Sequence, residues 1–257
     1  MGEIKTLVDQ VYGPVKSRRL GTSLGINTSP KERVVCNFGC VYCQYAIDDN
    51  RRKNEGIRAS KFPEVNEIIE QLKKRLQSKE KYDSITFAGH GEPTLHPQFD
   101  KIVTEVKKLR DKYRPSTPLS IFTNASYVAE VDLSKFDNVY LKLDAGNEET
   151  FRKVNEPRTK INLKNIVSKL ARLKVKRKII QSMFFEGEIT NLDEQNINDY
   201  IAQLEKIQPK EVNLYTILYE PDTRKAKPAS MKKLKSIAKR IREKINCEIK
   251  CYTDLSM

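Results

Sequence analysis

Three cysteines crowd into eight residues, Cys36-Asn-Phe-Gly-Cys40-Val-Tyr-Cys43, in a chain whose other two, Cys247 and Cys251, lie about 200 residues away. A loop that short can turn three sulfurs toward one point, which suits a soft metal or an iron–sulfur cluster. A structural zinc ion is the competing occupant. Zinc usually takes four ligands in paired C-x2-C or Cys/His spacing, whereas the spacing here is three then two. It would have to recruit His90, His96, Cys247 or Cys251 as a fourth ligand. Three unrelated buried thiols are the plainest alternative, and their clustering argues against it. The odd number of cysteines, and a start (MGEIKTLVDQ) without the apolar core of a signal peptide, point to a reducing, cytoplasmic setting. Clustered thiols there mean metal or catalysis rather than disulfides.

Other polar residues fall at the ends of short apolar runs. SITFA (84–88) leads into Gly89-His90-Gly91-Glu92-Pro93, LSIFTN (119–124) ends in Thr123-Asn124, and NVYLKLDAG (138–146) ends in Lys142-Leu143-Asp144-Ala145-Gly146. These runs read as strands, as do 23–27, 177–185, 211–218 and 247–252. Between them stand helical patterns. One opens at Pro63 with Val65, Ile68, Ile69, Leu72 and Leu76 on one face, and others cover about 98–112, 163–173, 193–207 and 230–244. Residues 47–61 read as a polar loop. Strands alternating with helices imply an α/β fold with a parallel sheet and right-handed crossovers. About six βα units are too few for a closed eight-fold barrel, so a partial, open TIM barrel is expected. Chemistry in such sheets sits at the C-terminal ends of the strands, where every motif above lies. Gln181, Met183 and Tyr215 alternate toward one sheet face, with core packing expected of Met183 and Tyr215.

The 257 residues are enough for a sizeable core, and no linker rich in Pro, Gly or Ser divides them. One domain is expected over 1–257, with a lead-in at 1–22 and a basic helix and tail at 229–257. No apolar run approaches the roughly 18 residues of a membrane span. Lys and Arg number 48 against 34 Asp and Glu, a net +14. Such a surface attracts polyanions, RNA first among them. Three basic groups stand out: Lys16, Arg18 and Arg19; Arg172, Lys174, Lys176, Arg177 and Lys178; and Lys232, Lys233, Lys235, Lys239, Arg240, Arg242 and Lys244. Tyr12, Tyr42 and Tyr45 could stack a splayed base.

The cysteine spacing C-x3-C-x-Φ-C, with Tyr42 before the last cysteine, resembles the signature of the radical S-adenosylmethionine (SAM) enzymes. The resemblance implies that Cys36, Cys40 and Cys43 hold a 4Fe–4S cluster with one iron left for the amino and carboxylate groups of SAM. It also implies cleavage of SAM to a 5′-deoxyadenosyl radical, and a small electron-donor protein. Phe87-Ala-Gly-His-Gly-Glu-Pro-Thr94 is similar to the family's glycine–glutamate motif, which makes Gly89, Gly91 and Glu92 the expected contacts to the SAM amino group. By the same likeness Tyr42, Asn124 and Asp144 are expected cofactor contacts, with Lys142 a further candidate. No proton donor or acceptor for the substrate is identified.

Tyr12 to Asn27, GHGEPTLHP and LDAGNEETFRKVNEP (143–157) resemble the short radical SAM proteins related to the wyosine synthases, which build a tricyclic base in tRNA. That likeness implies an RNA substrate, a tRNA base. Wyosine synthases carry a second cluster on three N-terminal cysteines. No cysteine precedes Cys36 here, and Cys247 with Cys251 supply only two thiols. Two other readings stay open: a radical SAM activase or peptide- or cofactor-modifying enzyme, and a non-catalytic, zinc-stabilised RNA-binding protein.

Overall fold

The computed structural model describes residues 8–45, 61–219, 221 and 225–254. The first seven residues of the expected lead-in and nearly all of the expected loop at 47–61 fall outside them. Strand β1 (Val11–Ser17) runs antiparallel to β2 (Gly21–Ile26). From β2 the sheet continues in parallel through β3 (Ser84–Phe87), β4 (Leu119–Thr123), β5 (Asn138–Lys142), β6 (Lys178–Met183), β8 (Glu211–Tyr215) and β10 (Glu248–Tyr252). The short strands β7 (Phe185–Gly187) and β9 (Ala226–Pro228) pair with each other instead. Six crossovers thus join seven parallel strands, and the sheet curls into the expected partial barrel.

Helices α1 (Val65–Gln77), α2 (Phe99–Tyr113), α4 (Leu163–Arg172), α5 (Glu194–Ile207) and α6 (Met231–Arg242) follow the periodicity that predicts them. In α1 the buried stripe is Val65, Ile68, Leu72 and Leu76, the spacing of one helical face. The starts of α4, α5 and α6 are capped by Asn162, Asp193 and Ser230, each accepting a backbone N–H three residues on. Helix α3 (Glu148–Asn155) escapes periodicity because it is only eight residues long; its signal is the Asn147 cap with Glu148 and Glu149 in the first turn. Residues 124–137 join β4 to β5 without an α-helix.

Alternation along the strands divides two environments. Leu24, Ile26, Ile85, Phe87, Leu119, Ile121, Val212 and Leu214 pack into the helix-covered core. The opposite face carries Ser23, Gly25, Thr86 and Ala88, small residues that leave a cavity of about 440 Å³. A hydroxyl ladder satisfies its floor: Ser23 to Thr86 at 2.7 Å, Thr86 to Ser84 at 3.1 Å and Ser84 to Ser120 at 3.1 Å.

Cys251 is in β10 and Cys247 just precedes it, both half-buried against the core.

At the end of β5, Gly146 lies under the crossing of α5. A Cβ there would run into the backbone of Asn196 and Tyr200. Gly146→Ala is therefore expected to lower stability by at least ~2 kcal/mol through overpacking. The check is a fall in the urea midpoint at unchanged m.

Candidate active site

The cysteine loop follows β2 and is held as a pseudo-strand against the end of α3. Gly39 N–H donates to Asn155 O at 3.1 Å, Val41 N–H to Val154 O at 3.0 Å, and Arg158 N–H to Asn37 O at 2.9 Å. Phe38 meets Phe151 edge-on at 5.6 Å between ring centroids. The helix hidden from periodicity is therefore the platform of the site. Cys36, Cys40 and Cys43 all line the large cavity, together with Tyr42, Gly89, Gly91, Glu92 and Asn124.

Glu92 ties the loop to the strand ends. It is 3% exposed, and its Oε1 accepts from Thr94 N at 3.2 Å, Thr94 Oγ1 at 2.7 Å and Thr123 Oγ1 at 2.7 Å. Its Oε2 accepts from Asn124 N at 2.6 Å. Burial raises the pKa of the carboxyl, and the donors from Asn124, Thr123 and Thr94 pull it back down. Oε2 keeps one lone pair for a further donor. Glu92 N–H in turn donates to Val35 O at 2.9 Å, beside Cys36. Gly91 is required here because a Cβ would strike Val35 O and Ser29, and one at Gly89 would strike Asn27. The close approach these glycines permit is first of all to the protein's own cysteine segment.

Asn124 does more than edge the cavity. Its amide donates to Asn37 Oδ1 at 2.8 Å and lies 3.7 Å from Cys36 Sγ. Its Oδ1 accepts from Ser126 N at 3.0 Å, turning the chain through Ala125 at φ 67°. Asn37, fully buried, also bonds Ser126 Oγ at 2.9 Å.

Asp144 stands one layer behind the cavity wall. It accepts from the Tyr42 hydroxyl, from Asn155 Nδ2 at 2.8 Å and from Met183 N at 2.9 Å. Lys142 Nζ is 3.4 Å from the same carboxylate, donates to Tyr215 OH at 3.0 Å and sits over the Tyr42 ring at 4.9 Å. Burial opposes the ammonium charge, but Asp144, Tyr215 and Cys40 outweigh it and raise the Lys142 pKa. Asn155 Nδ2 also lies 3.4 Å from Cys40 Sγ. Tyr215 is buried and Met183 packs against a small apolar cluster, as expected, and both also line the cavity. Strand register places Lys142 beside Gln181 and Met183 beside Tyr215, in keeping with the shared face read from alternation.

Burial raises both Cys36 and Cys40, the latter to about 11 despite the opposing field of Lys142. Among the described residues no three His, Cys, Asp or Glu side chains are gathered to hold one metal ion. A cluster takes each sulfur on a different iron, so its donors line a cavity rather than meet at a point, as these do. Amide donors at two of the sulfurs, from Asn124 and Asn155, suit anionic cluster thiolates.

The two histidines are structural. His90 Nε2 donates to Pro30 O at 2.7 Å and Nδ1 accepts from Val8 N at 3.3 Å. His96 Nε2 donates to Pro63 O at 2.9 Å and Nδ1 accepts from Gln98 N at 3.0 Å. Part of the expected basic surface is engaged in ion pairs within the chain. Arg177 pairs with Glu211 and Glu248, and Lys176 with Asp137, at the strand ends opposite the cysteines. Lys233 and Arg240 pair with Glu186 and Glu194. Tyr42 is buried, and Tyr45 stands edge-on to His90.

Glu92→Gln turns an NH2 group against donors that the carboxylate accepts, and is expected to cost about 1–3 kcal/mol in urea unfolding. Burial lowers the His96 pKa from 6.5. The unfolded chain then binds more protons than the folded one below about pH 6.5, so stability falls as pH falls there. A His96→Gln variant is expected to show a shallower loss between about pH 7 and 5 when unfolding is followed across that range.

Residues 34–194 match the family model of the radical SAM superfamily. A UPF0026 protein of Methanocaldococcus jannaschii is 31% identical over 234 residues, covering 88% of this chain and 69% of that protein. A protein named GTPase Obg from Brachyspira hyodysenteriae is 33% identical over 251 residues; the match covers 95% of this chain but only 35% of that protein. Among solved structures, TYW1 with a bound lysine–pyruvate adduct superposes with a TM-score of 0.65 at 17% identity, over 87% of this chain and 74% of that one. Among the described residues no helix is long and apolar enough to cross a membrane. The family uses a 4Fe–4S cluster and SAM, and its motifs fall on the residues that line one cavity here: this chain belongs to the radical SAM superfamily of enzymes.

Proposed function

We propose that Cys36, Cys40 and Cys43 hold the 4Fe–4S cluster, that Glu92 with the turn at Gly89 and Gly91 receives the amino group of SAM, and that the enzyme modifies a tRNA base. One observation carries the site: the three cysteines share a cavity with Glu92, whose carboxylate has a lone pair to spare. When bound, the cluster and SAM supply a 5′-deoxyadenosyl radical by one-electron cleavage of the S–C5′ bond, with methionine as the other product.

The chain's own residues do the positioning. Glu92 and Asn124 fix the Cys36 side of the loop, and Asn155 with Asp144, through Tyr42, fixes the Cys40 side. Apolar side chains, Phe122 and Ile217 among them, line part of the cavity. Lys142 is a charged, engaged wall residue rather than a free amine. The RNA substrate is supported by the net charge of +14, by the wyosine-synthase-like motifs and by the likeness of fold to TYW1. Lys232, Lys235, Lys239 and Lys244 on and beside α6 form no ion pair among the described residues and remain for phosphate contacts.

Protein purified without oxygen is expected to be brown, with iron and sulfide in near-equal amounts, and to cleave SAM to 5′-deoxyadenosine and methionine under a reductant. Cys40→Ala should abolish both properties, whereas Glu92→Gln should keep the iron and weaken SAM binding. Total tRNA from a deletion strain should lose a modified nucleoside. Colourless protein with stoichiometric zinc overturns the cluster. An unchanged nucleoside profile overturns the RNA substrate and turns the search to peptide or protein substrates.

A further inference from the structure

The turn between β1 and β2 enters the barrel. Arg18 reaches across the open side, donating from Nη1 to Thr216 O at 3.1 Å, 198 residues away. Arg19 stacks between two aromatic rings, its guanidinium carbon 4.7 Å from the Phe122 centroid and 4.6 Å from that of Tyr215. Both line the cavity that holds the cysteines. Yet neither forms an ion pair among the described residues, and Nε and Nη1 of Arg19 are buried without a hydrogen-bond partner. Two residues before Tyr215, on the same face of β8, Asn213 is fully buried with both amide atoms unpartnered.

Two adjacent guanidinium groups repel each other, and half-burying them without a carboxylate is unfavourable in the free protein. Arg18 shows the strain: burial, then the charge of Arg19, lowers its pKa, and Asp254 is the acidic group that acts on it, behind two tyrosines. Glu211, at the opposite end of β8 from Tyr215, is already committed to Arg177 and Lys250. Such a pair fits a ligand that brings its own negative charge, because guanidinium forks match planar or tetrahedral oxyanions.

We propose that Arg18 and Arg19 form an oxyanion site inside the barrel that clamps a carboxylate or phosphate of the substrate beside the cofactor. The assignment rests on the radical SAM reading for what lies next to the site, and it deepens that reading by requiring an anionic group on the substrate. The aromatic stacking holds Arg19 rigid, and Tyr215 links it to Lys142 and so to Tyr42. The clamped group is thereby set at a fixed place relative to the cysteine loop.

The test is calorimetry on the full chain purified without oxygen, titrated with inorganic phosphate and separately with acetate, against chloride at equal ionic strength. Saturable binding at one site is expected, weakened about tenfold or more in Arg18→Met and in Arg19→Met and largely kept in Arg19→Lys. A preference for phosphate assigns the group to a nucleotide or RNA, and one for acetate assigns it to an organic acid. If Arg19→Met does not fold, phenylglyoxal modification of Arg19 in the wild type, mapped by mass spectrometry, should be slowed by phosphate. The triple variant Cys36→Ala, Cys40→Ala, Cys43→Ala should lose iron and retain oxyanion binding, so the two readings fail separately. No binding beyond chloride, affinity unchanged from wild type in both methionine variants or displacement by SAM overturns the proposal.

Discussion

One buried carboxylate joins three parts of the chain that have no local reason to meet. Glu92 caps the turn after β3, binds the end of β4 through Thr123 and Asn124, and through its own backbone N–H holds the residue before Cys36. Burying a carboxylate is costly unless its lone pairs are filled, and here four donors fill them with one position left. Glu92 itself lines the cavity. A group so constrained gives the cysteine loop a fixed address relative to the strand ends, which a loop of eight residues has no means of giving itself.

The other end of the loop is held by a second polar knot. Asp144 gathers Tyr42, Asn155 and the backbone of β6, and Lys142 neutralises it from the cavity side. Asn155 comes from α3, so the short helix contributes both backbone partners for the loop and an amide beside Cys40. Because each member is satisfied by the others, the network is rigid, and rigidity is what positions a reactive cofactor. Tyr215 extends the same chain of contacts toward the β1–β2 turn.

The distribution of charge differs from its count. A net +14 invites the picture of a basic outer surface, but Arg18 and Arg19 point into the barrel and Arg177 locks the opposite strand ends together. A cation on a surface is cheap and a cation in a barrel is not, so the interior pair is the more informative. Their placement also closes the open side of the curled sheet, since Arg18 spans from the β1–β2 turn to the residue after β8.

Much was legible without coordinates. Cysteine spacing, the glycine–glutamate turn and the alternation of strands and helices are local properties, set by side-chain period and by backbone freedom, and they suffice for the family and the partial barrel. What stayed hidden depended on contacts between distant segments. Helix α3 was too short for its period to register, and the turn after β1 with its inward-turning arginines carried no more signal than a basic stretch. Asn37, Asn155 and Tyr215 are ordinary residue types whose roles arise only when the sheet brings them beside the cysteines. Asp144 sits at the expected strand end yet one layer back, because Tyr42 folds over it. The sequence by itself determined which groups are present and which strand ends bear them; the tertiary structure alone decided which of them face the cavity, since facing is set by register, curl and the competition of neighbours for the same buried hydrogen bonds.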